Sequence, residues 1–398
     1  MSCPQRNCAT PNRRLGTLAV AMAAILATVA AAQEAADLES VVRTAAQRPI
    51  DNRQCLGIAV GVITEAGRQV FGIGEARAWE GRPPDGRTVF EIGSISKTLA
   101  AILLAQAILA GDVSLETPIQ ACLPDGVRVP TFEGRAITLL DLATHRSGLP
   151  RDAPNLWDLH HLGSLDAIFN PFVAYTPDRL YAFLNAYHLK RAPGAKFVYS
   201  NLGAGLLGFA LSLRAQEEYE RLVVDRVCDP LGMSDTRIVL SAEQRARVSP
   251  GYMQIVPKPY LPGRFPSSYK PAPVLGGAGS FRSTADDMLT YLAANLGLIE
   301  TPLAKAIAMT HAPQRENSPR QSIGLFWHIE TKDGLDEPVI LHTGLTGGYE
   351  SFIGFLKSRR VGVVVLSNGM TSMTPVGMAI LRHLAGVPAG QSEQRVPQ

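Results

Sequence analysis

The stretch from Ser94 to Ala110 constrains the fold of this 398-residue chain more than any other segment. From Leu99 to Ala110 it is apolar on nearly every side, which is the pattern of a helix buried at the centre of a protein. Gly111 follows and predicts the end of that helix. Ser94 and Lys97 stand at its start, three positions apart, so their side chains share one face. The sequence therefore predicts a serine and a lysine in contact at the end of a buried helix.

A lysine beside a serine hydroxyl can accept its proton if the amine is neutral. The ordinary lysine pKa of about 10.4 means that a neutral amine requires burial or a nearby cation. At a helix start, the backbone N–H of Ser94 is also free to face an oxyanion. The pair predicts a serine nucleophile with a lysine base. A second Ser-x-x-Lys, from Ser267 to Lys270, lies in a proline-rich stretch with no helix after it, and we interpret it as a chance match.

The N-terminus has the pattern of an export signal. Arg6, Arg13 and Arg14 precede an apolar run, Leu15 to Val29, and three alanines follow it. The apolar run is shorter than the roughly 20 residues that a membrane-spanning helix needs, which disfavours the alternative of a membrane anchor. Residues 1–32 are therefore interpreted as a cleaved signal peptide, and we expect a periplasmic or secreted enzyme with no membrane span.

Composition restricts the classes of function. The chain is 46% hydrophobic and 18% charged, which favours a large folded core. The formal charge of +3 equals the three signal arginines, so the mature protein is neutral and shows no pattern for binding nucleic acid. The spacing of Cys and His matches no metal-binding motif, and we predict no metal and no cofactor. Outside the signal, three cysteines remain, which permits either one disulfide or buried free thiols: Cys55, Cys122 and Cys228.

The strand and helix patterns predict a mixed fold. Short alternating or apolar runs predict strands near both ends of the chain: 57–64, 69–76, 325–331, 339–342, 349–356 and 361–367. The segments between them are mostly helical in pattern. This order predicts an α/β (α+β) fold, in which both termini build one antiparallel sheet flanked by helices, with an inserted helical domain. The site is expected in the cleft between these parts.

The predicted domain limits follow from the same patterns. Residues 33–390 form one catalytic domain, with sheet parts at about 33–93 and 325–390 and a helical part at about 94–324. Residues 391–398 are expected to be a disordered tail. Seven prolines between residues 250 and 273 predict a long surface loop or lid without regular structure.

A second candidate motif is Tyr199-Ser200-Asn201, at a predicted junction between a loop and a helix. We expect nearby amines to lower the phenol pKa of Tyr199 from about 10, so that it can carry a proton between Ser94 and a leaving group. Asn201 offers a donor and an acceptor to a substrate amide. The alternative is a tyrosine that only caps a buried helix.

A third motif ends a short apolar strand. His342, Thr343, Gly344 and Leu345 run into a glycine-rich turn, and a strand edge with glycines lets a substrate backbone approach closely. The N–H of Leu345 is a candidate second oxyanion donor, opposite that of Ser94. Taken alone, His342 is equally an ordinary histidine at a strand end.

The three motifs together resemble the penicillin-recognising serine hydrolases. Ser94-Ile-Ser-Lys97, Tyr199-Ser-Asn201 and His342-Thr-Gly344 occur in the order of that family. The likeness is greatest to class C β-lactamases, D-alanyl-D-alanine carboxypeptidases/endopeptidases and family VIII carboxylesterases. Segments 90–98, 142–150 and 276–284 are similar as well, so the resemblance covers the chain after the predicted signal.

The resemblance implies a covalent acyl-enzyme mechanism. Ser94 would attack a β-lactam, amide or ester carbonyl while Lys97 and Tyr199 handle its proton, and Tyr199 would then help to activate water. One residue departs from the family pattern, because class C β-lactamases usually carry Lys where this chain has His342. A histidine of ordinary pKa is only about a quarter protonated at pH 7, which weakens a charge-based anchor for a substrate carboxylate.

We therefore expect an exported, monomeric serine hydrolase acting on β-lactams or on D-alanyl peptides of peptidoglycan. The alternative is a family VIII-type carboxylesterase that cleaves small esters. A non-catalytic penicillin-binding protein is a third interpretation, but the intact Ser94, Lys97 and Tyr199 argue against it. An α/β-hydrolase esterase is disfavoured because the chain contains no Gly-x-Ser-x-Gly.

Overall fold

The computed structural model describes residues 33, 35–158, 170–254, 262–264 and 272–387. The predicted signal peptide and the predicted disordered tail lie outside these residues. Among the described residues, no helix combines the length and the apolar character that crossing a membrane requires.

One eight-stranded sheet organises the molecule, and every neighbouring pair in it is antiparallel. The strands of this sheet are β1 (Gly57–Thr64), β2 (Gly67–Gly74), β7 (Arg315–Ser318), β8 (Gln321–Ile323), β9 (His328–Glu330), β10 (Val339–Thr346), β11 (Tyr349–Leu356) and β12 (Val361–Ser367). Their order is β2-β1-β12-β11-β10-β9-β8-β7, so strands from the two ends of the chain pair where β1 lies beside β12. Two further two-stranded antiparallel pairs join β3 (Phe90–Glu91) to β6 (Arg282–Ser283) and β4 (Tyr252–Gln254) to β5 (Pro262–Arg264).

Helices cover both faces of the sheet. The α-helices comprise residues 35–51, Ser96–Leu109, Leu139–Ala143, Pro177–Ala186, Asn201–Ala215, Tyr219–Val223, Asp229–Leu231, Ala242–Ala246, Gly276–Gly279, Ala285–Asn295, Ala304–Thr310 and Thr374–Leu384. Short 3-10 turns occupy Gly93–Ile95, Ile119–Cys122, Pro154–Trp157 and Pro171–Ala174, and a π-helical turn occupies Val224–Cys228. This arrangement confirms the predicted fold class.

Successive side chains of β1 and β12 point to opposite faces of the sheet, and each face is covered by its own hydrophobic core. Val60 and Val363 face the helices at 35–51 and Thr374–Leu384. On the opposite face, Ala59 and Val364 pack towards Ser96–Leu109, which we call the central helix. The central helix is buried from Ser96 to Ala105, as its apolar sequence predicted. It lies at the centre because no side of it is polar enough to face water.

The C-terminal part of the sheet begins earlier in the chain than the strand pattern predicted. β7 and β8 precede residue 325, within the stretch expected to be helical. Most of their residues are exposed or half-buried and polar, so they lack the apolar alternation that marks a strand. Their pairing at the sheet edge comes from the neighbouring strand and not from burial of one face.

The prediction that residues 250–273 contain no regular structure is wrong for their described part. Tyr252–Gln254 pairs with Pro262–Arg264 in a short antiparallel ladder. The proline in this ladder begins its strand, a position where its missing N–H is tolerated. The cysteine alternatives are resolved as well, because Cys55, Cys122 and Cys228 are all free and buried.

Candidate active site

Ser94 lies in the 3-10 turn Gly93–Ile95, directly before the central helix. The predicted helix therefore starts two residues later than Ser94, and a tighter turn carries the serine. Gly93 has a φ of +50°, and a Cβ at this position would come 2.8 Å from the backbone nitrogen of Leu345. A glycine is required here because it adopts this left-handed conformation and lets the two segments touch.

Lys97 is completely buried and lies against Ser94. Its Nζ is 2.9 Å from Ser94 Oγ and 2.9 Å from Asn201 Oδ1, and it also contacts the backbone carbonyl oxygen of Ala278. Burial, followed by the charge of Arg151, lowers the pKa of Lys97 well below its usual value. The amine is therefore neutral in a pH range where an exposed lysine is charged.

The contacts of Lys97 orient its lone pair. A neutral amine has two N–H donors, and the oxygens of Asn201 and Ala278 can only accept hydrogen bonds. Both N–H groups are therefore directed at these two oxygens, and the lone pair remains for the hydroxyl of Ser94. In this arrangement the Ser94 O–H donates to Lys97, which is the geometry of a base that takes the serine proton.

Tyr199 is hydrogen-bonded to Ser94. Its ring centroid is 4.9 Å from Lys97 Nζ and 5.2 Å from Cζ of Arg151. The expectation that nearby amines lower its pKa is wrong, because burial outweighs the lowering by the Ser94 hydrogen bond and the Arg151 charge and raises the pKa of Tyr199 to about 12. The phenol is therefore a proton donor at neutral pH and not a phenolate base.

Asn201 is the first residue of the helix Asn201–Ala215, which Ser200 caps. Its Oδ1 accepts from Lys97, and its Nδ2 donates to Asp152 Oδ1 at 3.0 Å. Asn201 lines the cleft, and its carbonyl oxygen is committed to Lys97. Its main contribution in this structure is to hold the lysine in place.

His342 is 1% exposed and lines the same cleft. Its Nδ1 is 2.6 Å from the carbonyl oxygen of Thr343, an acceptor, so Nδ1 carries the proton. Burial, with His328 and Lys97 nearby, lowers the pKa of His342 well below 6.5 and keeps the ring neutral. Its Nε2 is therefore an acceptor, and it has no partner within the part of the chain that the structure describes.

The segment after His342 forms one wall of the cleft. β9 pairs with β10 only through residues 339–341, so the second half of β10 keeps a free edge on that side. A Cβ on Gly344 would collide with the carbonyl oxygen of Ile92, which explains the glycine. The side chain of Leu345 is half-exposed, and its backbone nitrogen lies beside Gly93.

These residues surround one cleft of about 520 Å³, a volume typical of small-ligand sites. Ser94, Tyr199, Asn201, His342, Thr343 and Leu345 all line it. The structure thus brings the three predicted motifs together, from segments more than 100 residues apart.

Several residues of the cleft escaped the sequence analysis. Arg151 and Glu350 line it, and Arg282 forms an ion pair of 2.7 Å with Glu91 there. Burial raises the pKa of Glu350 to about 7. Glu91 and Arg282 lie inside the segments 90–98 and 276–284 that resemble the family, and Arg151 directly follows the segment 142–150, so the resemblance was the available signal for these three residues. Glu350 lies in none of those segments.

Comparison with known proteins agrees with this geometry. The D-alanyl-D-alanine-carboxypeptidase/endopeptidase AmpH of Escherichia coli K12 is 28% identical over 365 residues, covering 87% of this chain and 89% of that protein. A beta-lactamase of Pseudomonas fluorescens is 26% identical over 365 residues, covering 84% of this chain and 94% of that protein. The crystal structure of a beta-lactamase/D-alanine carboxypeptidase from Yersinia pestis, complexed with citrate, superposes with a TM-score of 0.73 at 24% identity. The superposition covers 89% of this chain and 99% of that one.

The family assignment depends on a match along most of the chain. The beta-lactamase family model matches residues 38–387, which include every element of the eight-stranded sheet and all three motifs. The chain is a serine hydrolase of the beta-lactamase family, one of the penicillin-recognising serine hydrolases.

Proposed function

We propose that this protein forms an acyl-enzyme on Ser94 and acts on D-alanyl peptides of peptidoglycan or on β-lactams. The observation that carries the proposal is the fully buried amine of Lys97, 2.9 Å from Ser94 Oγ, with both of its N–H donors directed elsewhere. Relatives named as a D-alanyl-D-alanine-carboxypeptidase/endopeptidase and as a beta-lactamase support the two substrate classes.

In the proposed acylation, Ser94 Oγ attacks the substrate carbonyl carbon and its proton passes to Lys97 Nζ. The tetrahedral intermediate then collapses, and the bond from the carbonyl carbon to the leaving nitrogen or oxygen breaks. The neutral phenol of Tyr199 donates a proton to that leaving atom, and the ammonium of Lys97 restores the phenol. In deacylation a water molecule attacks the acyl carbonyl carbon, helped by Tyr199, and gives its proton to Lys97. The bond from that carbon to Ser94 Oγ then breaks, the proton passes from Lys97 to Ser94 Oγ, and the acid product leaves.

The oxyanion of each tetrahedral intermediate needs donors. We assign this role to the backbone N–H groups of Ser94 and Leu345, since the contact of Gly93 with the nitrogen of Leu345 holds the two segments together. Removing one donor of such a pair typically lowers kcat by about 10²–10³-fold. The half-exposed side chain of Leu345 leaves its backbone at the open edge of the cleft, where a substrate can reach it.

Export to the periplasm or the exterior is part of the proposal. It is supported by the basic and apolar pattern of residues 1–32 and by the location of peptidoglycan, the proposed substrate, outside the cytoplasm.

The neutral state of His342 favours a second candidate function, hydrolysis of small esters. A buried, neutral ring offers a substrate carboxylate no positive charge, whereas a neutral ester does not need one. Arg151, whose side chain is 65% exposed and lies 3.8 Å from a carboxylate oxygen of Asp152, supplies a positive charge at the cleft. It is available to a peptide carboxylate, and we therefore keep peptides and β-lactams as the first candidates.

Steady-state kinetics on three substrates test the proposal. We expect kcat/KM to be highest for a peptide ending in D-Ala-D-Ala or for nitrocefin, with slower cleavage of p-nitrophenyl butyrate. Rapid ester cleavage with negligible rates on the other two would replace the first proposal by the esterase.

Replacing His342 by lysine is expected to raise kcat/KM for nitrocefin about tenfold. The ammonium would supply the missing charge for the nitrocefin carboxylate. A hydrogen bond to a charged group contributes about 1.5–3 kcal/mol, which corresponds to a factor of roughly ten or more in affinity. The matched control is p-nitrophenyl butyrate, which has no carboxylate and should be cleaved at an unchanged rate. If nitrocefin turnover by the folded His342→Lys variant does not increase, the charge of this residue does not limit β-lactam binding.

A further inference from the structure

His145 is a buried histidine behind the cleft that the proposed chemistry leaves without a role. It is 1% exposed and follows the short helix Leu139–Ala143. Its φ of +56° is unusual for a residue with a side chain. Aromatic rings surround it, with centroids at 5.7 Å for Phe197, 4.4 Å for Tyr199 and 5.2 Å for Phe326.

His145 contacts the chain on both sides of Tyr199. Its carbonyl oxygen accepts a hydrogen bond of 2.7 Å from the N–H of Val198. Its ring Nδ1 accepts another, of 3.1 Å, from the N–H of Ser200. The imidazole itself packs against the phenol ring at an interplanar angle of 33°. One residue therefore fixes the backbone before Tyr199, the backbone after it and one side of its ring.

His145 is itself held in place. Its backbone N–H donates to the carbonyl oxygen of Leu142 at 3.2 Å. Nearby, the backbone N–H of Phe326 donates to the carbonyl oxygen of Ala143 at 2.8 Å. Ser200 is anchored too, since its hydroxyl donates to the carbonyl oxygen of Pro150 at 2.7 Å. A displacement of Tyr199 would therefore have to break contacts at fixed neighbours on each side.

The hydrogen bonds of His145 define its charge and tautomer. Because Nδ1 accepts from a backbone N–H, the proton of the neutral ring is on Nε2. Burial, with Lys97, His328, His342 and Arg151 nearby, lowers the pKa of His145 well below its usual value. A charged ring would also donate at Nδ1 and lose the bond to Ser200. The ring therefore acts as a neutral acceptor and a packing surface.

We propose that His145 is a positioning residue that holds the phenol of Tyr199 in hydrogen-bonding distance of Ser94. The inference depends on the proposed role of Tyr199 in acylation. His145 does not touch the reacting atoms: it acts only through the tyrosine. A displacement of about 1 Å in a reacting group can lower a rate about a hundredfold, so the effect is measurable.

A double-mutant cycle separates positioning from a general structural role. The acylation rate is measured in single turnovers with a fluorescent penicillin for the wild type, His145→Asn, Tyr199→Phe and the double variant. Asparagine tolerates positive φ and keeps an acceptor near Ser200, but removes the ring. We expect His145→Asn to slow acylation about 10- to 100-fold when Tyr199 is present and less than twofold in the Tyr199→Phe background. Equal losses in both backgrounds would overturn the proposal.

The matched control is His311→Asn, which removes another buried histidine ring, packed at 5.6 Å against Trp327. It should lower thermal stability without changing the acylation rate. If His145→Asn does not fold, His145→Gln keeps an acceptor with a longer reach and enters the same cycle.

A second measurement needs no substrate. The ring-flip rate of Tyr199, measured by NMR on protein with labelled tyrosine, should rise at least tenfold in His145→Asn, and an unchanged rate would overturn the proposal. Failure of the wild type to be labelled by penicillin would instead contradict the acyl-enzyme proposal and leave the NMR comparison to decide the role of His145.

Discussion

The Ser94→Ala variant is expected to lose turnover by about 10⁴–10⁶-fold and to lose covalent labelling by a fluorescent penicillin, while it remains folded. The hydroxyl is the only group removed, and nucleophile deletions in serine hydrolases cause losses of this size. The measurement combines kcat/KM on the best substrate, mass spectrometry of the labelled protein and a thermal melt.

The second Ser-x-x-Lys of the chain provides the control for this variant. Ser267→Ala removes a serine of the same pattern that we interpreted as a chance match, and it should keep full labelling. Labelling that persists in Ser94→Ala would locate the nucleophile elsewhere. Labelling that disappears in Ser267→Ala would show that the second copy is functional.

The Lys97→Arg variant is expected to lose kcat/KM by about 10²–10⁴-fold, the usual contribution of a general base. Arginine keeps the positive charge and donors of a protonated lysine, but its guanidinium does not deprotonate in proteins. It therefore lacks the lone pair that the neutral amine of Lys97 directs at Ser94. Lys357→Arg, in the exposed turn between β11 and β12, makes the same exchange away from the site and should leave kcat/KM unchanged. A Lys97→Arg enzyme with near-normal activity would show that Lys97 is not the base.

The same role of Lys97 predicts the shape of the pH profile. Lys97 works only when deprotonated, and because its pKa is well below 10.5, kcat/KM should rise at a correspondingly lower pH. Tyr199 works as a proton donor, and its pKa of about 12 keeps it protonated beyond pH 10. We therefore expect a plateau that extends to at least pH 10. A rate that is still climbing at pH 10 would mean an ordinary lysine pKa, and a fall near pH 8 would contradict the proton-donor role of Tyr199.

The sequence predicted the site best where the chemistry is local. Ser94 and Lys97 are three residues apart, so the geometry of a single turn brings them together, and the apolar run that follows predicts a buried helix. The antiparallel sheet from both termini was also predictable, because the apolar runs of β1, β11 and β12 mark strands that are buried along nearly their whole length. The polar strands β7 and β8 were missed since they have no such run.

The electrostatic state of each side chain was decided only by the tertiary structure. The sequence indicated that amines lie near Tyr199, but the direction of its pKa depends on a balance between those charges and burial, and burial prevails. Whether His342 is charged depends in the same way on its environment, and its tautomer depends on one backbone carbonyl. The sequence motif associated Asn201 with the site, and only the fold shows that its oxygen is committed to Lys97.

By itself, then, the sequence determined which residue types are present for acyl transfer, the pairing of Ser94 with Lys97, and the fold class, because these depend on local spacing and on periodic burial. The tertiary structure alone decided which groups are neutral, where the lone pair of Lys97 is directed, and that His145 packs behind Tyr199. Desolvation and hydrogen-bond direction depend on atoms from distant segments, such as Ala278 and Arg151, whose proximity no local pattern encodes.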